Sequence, residues 1–415
     1  MVAQKSTMKI QIFEAYAGGH YTQYVAHLLP NLKELSRRGL IDSVVLTTSK
    51  NHVAHPYYAE AIAPIASGVT IDAPFSIGPH GPNSGREIAG LLRASIVRNR
   101  PDFVIATSAD HGAFPLAVIN SVAGSRPFGK ASAIGIFHHG LGREPKTLTE
   151  ALKDRALHFA KRNKIWAEAH IVNPLLFDRI ERLGDGPAGH FRQLPDPVPH
   201  TVPIDRIEAR AIFGIPETGR YIGHVGGMDA RMALPELIEA FRSASKRVDD
   251  RLLLAGSLYE PYQAYVSANC ADLIESKKLI VLDRFLTQNE LTIAASALDV
   301  IAIPYYTTEQ LSAKLLHAIA ARRPVVSGAL GYSGMIVQTF GVGRTCDIHD
   351  PADFARTIAL ALEESKGYLV SEKTERLIQY HAPENYAASV LHSLYERLGV
   401  ERPPVKSWNW ALTGS

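Results

Sequence analysis

The chain has 415 residues, of which 46% are hydrophobic and 20% charged, a balance typical of a globular protein rather than a disordered or fibrous one. The 44 basic and 41 acidic residues give a formal charge of +3, too small to draw the protein onto nucleic acid. Cys270 and Cys346 are far apart in sequence, which excludes a disulfide framework and favours a reducing compartment. A chain of this length predicts two domains.

No segment reaches the roughly 18 consecutive apolar residues that a membrane-spanning helix needs. The start, Met1–Lys9, is polar, and Glu14 and Gly18 interrupt the apolar residues that follow it before a signal-peptide core is complete. We therefore expect a cytoplasmic protein that at most contacts the inner face of a membrane.

In the first half of the chain, short runs rich in Val and Ile alternate with longer amphipathic segments, as in parallel strands joined by helices. Helices are predicted between the strands, notably at Tyr21–Arg38 and Arg86–Asn99. The pattern predicts a doubly wound α/β domain at residues 1–195. Its predicted strands are Lys9–Phe13, Ser43–Thr47, Asp102–Thr107, Ala133–Phe137 and Ala169–Val172.

Four prolines between Gln193 and Ile204 disfavour regular structure, so we place an interdomain linker at 196–203. A second doubly wound α/β domain is predicted at 204–382. Residues 383–415 are expected to form a closing helix, at Pro383–Leu398, and a tail that pack near the N-terminal domain. The predicted strands of the second domain are Tyr221–Val225, Arg251–Ala255, Leu279–Leu282, Asp299–Pro304 and Pro324–Ser327.

Two open parallel sheets joined by a linker predict a cleft whose ligands lie at the carboxyl ends of the strands. The first such loop contains Gly18 and Gly19, followed by His20. These glycines either let backbone N–H groups approach a phosphate or sugar, or simply form a tight turn into the next helix.

Paired histidines, His138 and His139, follow the strand that ends at Phe137 and could donate hydrogen bonds to sugar hydroxyls. His52 and His55 form a second pair. Paired histidines can also bind zinc, but neither pair has a carboxylate or cysteine at ligand spacing. We therefore predict no metal site.

The segment from Asp299 to Gly334 contains a strand, a polar loop and an apolar helix. Ser312 is a suitable cap for this helix, which would direct its free N–H groups and positive dipole end toward a ligand. Lys314 lies in its first turn. This arrangement predicts a diphosphate site.

This segment resembles the second domain of the retaining GT-B glycosyltransferases of family 4. The most specific match is Glu309 in the loop, followed by the Pro-Val-Val strand that begins at Pro324. Further similarities, in chain order, are His139-Gly140-Leu141, Val225-Gly226 leading to Leu237-Ile238-Glu239-Ala240-Phe241, Leu254-Ala255-Gly256 and Ala297-Leu298-Asp299-Val300.

The resemblance implies a GT-B architecture of two Rossmann-like domains facing across a cleft. It implies a nucleotide diphosphate sugar as co-substrate, bound mainly by the second domain, and an acceptor bound by the first. Glu309 would bind the donor sugar and His139 would contact it near the reacting carbon. Transfer would retain the anomeric configuration without a metal or other cofactor.

Several positions depart from the family pattern. The second Glu of the family's pair is His317 here, and a further expected Glu falls on Met335. The family's Arg and Lys on the diphosphate fall on Gly227 and Met232. Arg231 or Lys314 could supply the missing positive charge.

The predicted site therefore contains catalytic, donor-binding and acceptor-side groups. The catalytic residues are His139 and Glu309. The donor-binding set is Gly18, Gly19, Gly226, Gly227, Arg231, Leu311, Ser312, Lys314 and His317. The acceptor-side set is His20, His111, His138 and Arg143.

A basic segment with apolar residues near helical spacing, from Leu148 to Trp166, has two interpretations. It could lie on an anionic membrane surface, or it could be a crossover helix with a solvated basic face. Arg143 and Lys146 extend its basic character and could suit a phosphorylated acceptor.

We predict a hexosyltransferase acting on a glycan, a lipid-linked acceptor or a small alcohol, as in polysaccharide biosynthesis. The alternative is a catalytically degenerate GT-B protein that binds a glycan or regulates a partner glycosyltransferase. A sugar-nucleotide epimerase is compatible with the fold but is not favoured by the Glu309 segment.

Overall fold

The computed structural model describes residues 8–77, 84–123, 127–138, 148, 165–182, 191–198, 204–306 and 312–414. These residues form two compact units. The first contains the chain up to Pro197 together with Pro383–Trp408, and the second contains Val198–Ala382 with the residues after Trp408. Each unit has its own parallel sheet and its own hydrophobic core.

The first unit has a seven-stranded parallel sheet of order β3-β2-β1-β4-β5-β6-β7. Its strands are β1 (Met8–Glu14), β2 (Ile41–Ser49), β3 (Val69–Phe75), β4 (Phe103–Ala106), β5 (Ser132–Phe137), β6 (Glu168–Ile171) and β7 (Phe191–Gln193). Its helices before the linker are α1 (Gly19–Arg37), α2 (Lys50–Val53), α3 (Pro56–Ala61), α4 (Gly85–Asn99), α5 (Asp110–Ala123) and α6 (Pro174–Arg182).

The second unit has a six-stranded parallel sheet of order β10-β9-β8-β11-β12-β13. Its strands are β8 (Arg220–Val225), β9 (Asp250–Ala255), β10 (Leu279–Leu282), β11 (Val300–Ile303), β12 (Val325–Gly328) and β13 (Gly343–Cys346). Its helices are α7 (Arg206–Ile212), α8 (Leu234–Ala244), α9 (Glu260–Asn269), α10 (Ala271–Glu275), α11 (Gln288–Ala297), α12 (Ala313–Ala320), α13 (Gly331–Phe340), α14 (Pro351–Glu364) and α15 (Glu372–Tyr380).

Three further helices follow α15 in sequence, α16 (Pro383–Val390), α17 (His392–Leu398) and α18 (Trp408–Thr413). The first of them packs on α1 of the first unit, where the Tyr24 and Tyr386 ring centroids are 5.3 Å apart. The single closing helix predicted for Pro383–Leu398 is thus wrong in detail. Leu391, with φ −85° and ψ 3°, separates two shorter helices, and apolar spacing does not reveal such a one-residue break.

In each sheet the first strand lies in the interior, between the second and the fourth. The strand order therefore reverses beside β1 and β4 in the first unit, and beside β8 and β11 in the second. In open α/β sheets, ligands bind outside the carboxyl ends of the strands at this switch point. The loops after these four strands are accordingly where each unit is best placed to bind a ligand.

The predicted α/β fold with two parallel sheets is confirmed, and all ten predicted strands are present with ends within two residues of the prediction. The three strands that were not predicted, β3, β7 and β13, all lie at sheet edges. Their residues are mostly half-buried or exposed, so they lack the continuous apolar run that marks a strand covered on both faces.

Candidate functional site

At the switch point of the second unit, the turn after β8 is in close contact with the turn after the neighbouring strand β9. Gly226 follows β8 with φ +102°, a left-handed conformation that favours glycine. Gly256 follows β9, and a Cβ atom there would lie 2.3 Å from the Gly226 carbonyl oxygen. Only glycine at position 256 permits the two turns to approach this closely. No side chain of Gly226 or Gly256 therefore covers the carboxyl end of β8.

Lys314 extends from α12 to this glycine turn. Its Nζ donates a hydrogen bond to the Gly227 carbonyl oxygen and lies 5.5 Å from the centre of the Tyr305 ring. A Cβ atom built on Gly226 would be 3.1 Å from Lys314 Cε. The lysine stem therefore covers the turn, and its ammonium lies beside the position from which the family's Arg side chain would extend.

The helix that presents Lys314 is capped as predicted from its sequence. The Ser312 Oγ accepts a hydrogen bond of 3.2 Å from the Leu315 backbone N–H. Ser312 itself is buried. The cap satisfies one N–H of the first turn, and the positive end of the helix dipole adds to the Lys314 charge.

Arg231, the other candidate cation, is paired with a carboxylate. It contacts Asp229 through both ends of its guanidinium, with 2.8 Å between Nε and Oδ1, and both side chains are exposed. Hydrogen bonds from Arg231, together with the Arg231 and Lys314 charges, lower the pKa of Asp229 against the opposing effect of burial. The Arg231 charge is thus balanced within its own loop.

Met232, at the position of the family's second cation, is a core residue. It is fully buried and forms an isolated bridge with Tyr305, the residue after the loop proline. The next backbone N–H, that of Ala233, donates a 2.7 Å hydrogen bond to the Pro304 carbonyl oxygen. Backbone pairing at Met232 and Ala233 therefore joins the loop after β8 to the end of β11.

His224 is a buried group of this site that sequence reasoning missed. Its Nδ1 lies 2.8 Å from the Ala302 carbonyl oxygen, which can only accept, so Nδ1 carries the proton. Its Nε2 is buried with no hydrogen-bond partner among the described residues. Burial, reinforced by the nearby Lys314 charge, lowers its pKa to about 3. Every residue of β8 is buried, so the sequence pattern of this strand could not distinguish the histidine from a core residue.

His317, which replaces the family's second Glu, lies on α12 and is half-buried. Burial lowers its pKa to about 4, so the imidazole is neutral near pH 7. A neutral imidazole offers one donor and one acceptor, whereas a carboxylate offers two acceptor oxygens.

At the switch point of the first unit, Gly18 and Gly19 have φ of +82° and +55° and lead into α1. A Cβ on Gly18 would lie 2.8 Å from His55 Nε2, so the glycine leaves room for that ring. His20 lies in an aromatic cluster, with its ring centroid 5.7 Å from that of His138. The predicted acceptor-side residues His20 and His138 are therefore brought together.

Beneath this cluster lies Glu14, the last residue of β1, which sequence reasoning also missed. It is fully buried, and its Oε2 accepts hydrogen bonds from the hydroxyls of Thr107 (2.7 Å) and Ser108 (2.6 Å). Burial raises its pKa to about 7. A second buried carboxyl group, Asp196, accepts a 2.5 Å hydrogen bond from the Tyr24 hydroxyl, and burial raises its pKa to about 6.

The predicted catalytic residues His139 and Glu309 lie outside the described residues, as do Arg143 and Leu311. His111 is on α5, where only its backbone is described.

Of the other histidine pair, His52 is buried between the hydroxyls of Thr22 (2.8 Å) and Thr48 (2.7 Å), which occupy both ring nitrogens. Within the described ranges, no cluster of His, Cys, Asp and Glu is arranged to hold a metal ion.

The basic segment after residue 147 also falls mostly outside the described ranges, but Trp166 does not. This residue is buried in the core of the first unit, with its ring centroid 4.7 Å from that of Phe128. The membrane interpretation is therefore wrong for Trp166, because a core side chain is not available to a membrane surface. Among the described helices, none combines the length and apolar character needed to cross a bilayer.

Solved structures with the same architecture cover nearly all of the chain. HepE of Anabaena in complex with UDP and glucose matches with a TM-score of 0.67 and 16% identity, over 94% of this chain and 100% of HepE. Sucrose-phosphate synthase from Thermosynechococcus elongatus matches with a TM-score of 0.66 and 16% identity, over 94% and 99% of the two chains. The protein thus has the GT-B fold.

Residues 205–382 match the model of the family described as Glycosyl transferases group 1. D-inositol 3-phosphate glycosyltransferase of Mycolicibacterium smegmatis is 28% identical over 183 residues, which cover 43% of this chain and 41% of that enzyme. The Mycolicibacterium vanbaalenii enzyme of the same name is 31% identical over 168 residues, or 38% and 36% of the two chains. The match thus spans about two fifths of these relatives.

Proposed function

We propose that the protein transfers a hexose from a nucleotide diphosphate sugar to a hydroxyl acceptor with retention of configuration. The observation that carries this proposal is the switch point of the second unit. There a glycine turn, a capped helix start and the Lys314 ammonium come together within a glycosyl transferases group 1 domain.

A diphosphate needs positive charge, N–H donors and space. The first turn of α12 offers backbone N–H groups and the positive end of the helix dipole, and Lys314 adds a full charge. Gly227 supplies the space, because a Cβ built on it would meet no atom within 4 Å. These features support donor binding at the carboxyl ends of β8 and β11. We propose that Gly226, Leu311 and Ser312 also contact the phosphates.

Lys314 is better suited than Arg231 to replace the family's missing cations. Arg231 is paired with the Asp229 carboxylate, whereas Lys314 Nζ donates to the Gly227 backbone carbonyl, which carries no net charge. A phosphate oxygen could replace the Gly227 carbonyl as the acceptor of the Lys314 hydrogen bond, or could bind beside it. Neither change would displace a charged partner of Lys314. Arg231 would then contribute a weaker, longer-range attraction.

The donor sugar and the acceptor complete the proposal. We assign the donor-sugar contact to Glu309, the contact near the reacting carbon to His139, and ribose contact to His317. HepE was crystallised with UDP-glucose, which supports a UDP-hexose as the first donor to try. The acceptor would meet His20, His111, His138 and Arg143 of the first unit.

The relatives named for D-inositol 3-phosphate make a cyclic polyol phosphate one candidate acceptor, alongside a glycan or lipid-linked glycan. A place in polysaccharide biosynthesis, in the cytoplasm or at the inner face of the membrane, is compatible with each of these acceptors.

In the proposed reaction, the bond between the anomeric carbon and the diphosphate oxygen breaks, and the acceptor oxygen bonds to that carbon on the same face. The acceptor proton passes to the departing diphosphate. Negative charge accumulates on the leaving group, so Lys314 and the α12 N-terminus stabilise the transition state more than the ground state.

The test is nucleotide-sugar binding measured by thermal shift and calorimetry on the full chain, with UDP-glucose, ADP-glucose and GDP-mannose. At least one should raise the melting temperature, because a ligand that binds only the native state stabilises it. Turnover with that donor is then assayed with inositol phosphate and oligosaccharide acceptors. Binding without release of nucleoside diphosphate from any acceptor would count against transfer.

A second function is favoured by one observation, the absence of a cationic side chain at both family positions, Gly227 and the buried Met232. On this alternative the protein is a degenerate member that binds a glycan or regulates a partner glycosyltransferase. It predicts no thermal shift with any nucleotide sugar and a measurable shift with an oligosaccharide.

A further inference from the structure

The carboxyl edge of the first sheet contains a buried carboxylate that joins two loops. Glu14 ends β1, and through Oε2 it accepts hydrogen bonds from both hydroxyls of the loop after β4, those of Thr107 and Ser108. Its Oε1 accepts a 2.8 Å hydrogen bond from the Tyr16 backbone N–H. None of these partners is a cation, so three neutral donors hold the group.

The loop that Glu14 holds in turn holds His138. The Thr107 carbonyl oxygen accepts a 2.8 Å hydrogen bond from His138 Nε2, which fixes the proton on that nitrogen. The Asp110 carboxylate accepts a 2.8 Å hydrogen bond from the His138 backbone N–H. The end of β5 is thereby tied to the loop after β4 and to the start of α5.

We propose that Glu14 is a positioning residue for the acceptor side: by fixing the Thr107–Ser108 turn it sets the orientation and tautomer of the His138 ring. Its effect on catalysis rests on the proposed function, whereas its effect on His138 does not. A carboxylate buried among three donors is well suited to this task, since charge-assisted hydrogen bonds are shorter and stronger than neutral ones.

The surroundings explain why this group responds to pH. Burial raises its pKa to about 7, against the opposing effect of its hydrogen bonds. Protonation would turn one acceptor oxygen into a donor and oblige a hydroxyl of the turn to reverse its hydrogen bond. The titratable groups around it are Tyr16 on its own loop, Asp110 on α5, His138 after β5, Tyr24 on α1 with its partner Asp196, and Tyr386 on α16.

The decisive experiment observes His138 directly, by long-range proton–nitrogen NMR of the full chain labelled in its histidine rings. The His138 signals are assigned by their loss in His138→Gln. We expect wild type to show the Nε2–H tautomer, and Glu14→Ala to shift the signals toward a tautomer mixture. Glu14→Gln should restore them, because its amide oxygen can still accept from both hydroxyls.

The matched control is Glu168→Gln, which alters another buried carboxyl group of the same unit, one that pairs with His170 and Arg192. This variant should leave the His138 tautomer unchanged. Unchanged His138 signals in a folded Glu14→Ala protein would overturn the proposal. An equal change in Glu168→Gln would do so too, since it would indicate general loosening.

Kinetics and calorimetry would show whether Glu14→Ala affects the acceptor or the donor. Glu14→Ala should lower kcat/KM for the acceptor about 10- to 100-fold, as expected for a misplaced contact group, and leave donor binding by calorimetry within twofold of wild type. Equal losses for donor and acceptor would contradict an acceptor-side role. If wild type transfers no sugar, the proposed function fails while the NMR result still decides the role of Glu14.

Discussion

The two switch points have the same strand order but opposite chemistry. In the second unit the turn after β8 contacts Lys314, which lies in the first turn of α12. The Lys314 ammonium donates its hydrogen bond to a backbone carbonyl and not to a carboxylate. In the first unit β1 ends in the buried carboxylate of Glu14. The rings of His20, Tyr21 and His138 pack together in the same unit. The same strand order thus presents a lysine and a helix start in one unit, and a buried carboxylate with two hydroxyl partners in the other.

This difference shows where specificity is encoded in such folds. The strand order brings the loops after the first and fourth strands together in both units, because it reverses between those strands. What the loops then bind depends on a few side chains. We propose that the second unit binds a diphosphate and that the first binds an acceptor hydroxyl.

The largest expected effect comes from Glu309, the proposed donor-sugar contact. Replacing it by Gln should reduce kcat about 100- to 1000-fold, the usual loss when one group that stabilises a transition state is removed. Steady-state transfer kinetics with the donor identified by thermal shift provide the measurement. Activity within a few-fold of wild type would exclude Glu309 from the reaction.

The first switch point should also make the stability of the protein depend on pH, because it contains Glu14. Its pKa rises from 4.5 to about 7 on folding, so its contribution to stability is complete below pH 4.5 and is lost as the pH rises through 7. The change amounts to about 3 kcal/mol between those limits. Melting temperatures should therefore fall from pH 5 to pH 8, and by less in Glu14→Gln. Parallel curves for the two proteins would show that Glu14 does not titrate as expected.

The anion site proposed for the second unit can be tested by moving the positive charge of Lys314 to a neighbouring position. Lys314→Gln should weaken nucleoside diphosphate binding about 10- to 100-fold, corresponding to one charge-assisted hydrogen bond. Adding Gly227→Arg should restore binding, since a Cβ at position 227 meets no neighbouring atom. Calorimetry on the single and double variants tests this. A double variant no better than Lys314→Gln would mean that position, and not charge alone, matters.

The smallest effect is expected for Arg231, and it serves as the control for Lys314. Arg231 and Asp229 form an exposed pair, so Arg231→Gln should change the free energy of unfolding by less than about 1 kcal/mol. Donor affinity should change less than threefold at 150 mM salt, because the charge is screened and already balanced. If Arg231→Gln weakened donor binding more than Lys314→Gln, the assignment of the main cation would be reversed.

Much of the fold followed from the sequence, because buried parallel strands need apolar runs and the helices between them need one apolar face. The capped start of α12 was equally visible, since Ser312 has a short-range role that does not depend on the rest of the chain. The edge strands were invisible because partial exposure removes the apolar run. The resemblance of the Glu309 segment to the family 4 glycosyltransferases is supported by the match of residues 205–382 to the Glycosyl transferases group 1 model.

The polar contacts of the site were decided only by tertiary structure. Sequence named Arg231 and Lys314 as equal candidates, but only folding pairs Arg231 with Asp229 and brings Lys314 to the Gly227 carbonyl, 87 positions away. Glu14 appeared to be one acidic residue ending a strand, until Thr107 and Ser108 enclosed it. The physical reason is range: strand and cap signals arise within a few residues, whereas the environment of a charge depends on distant segments that burial brings together.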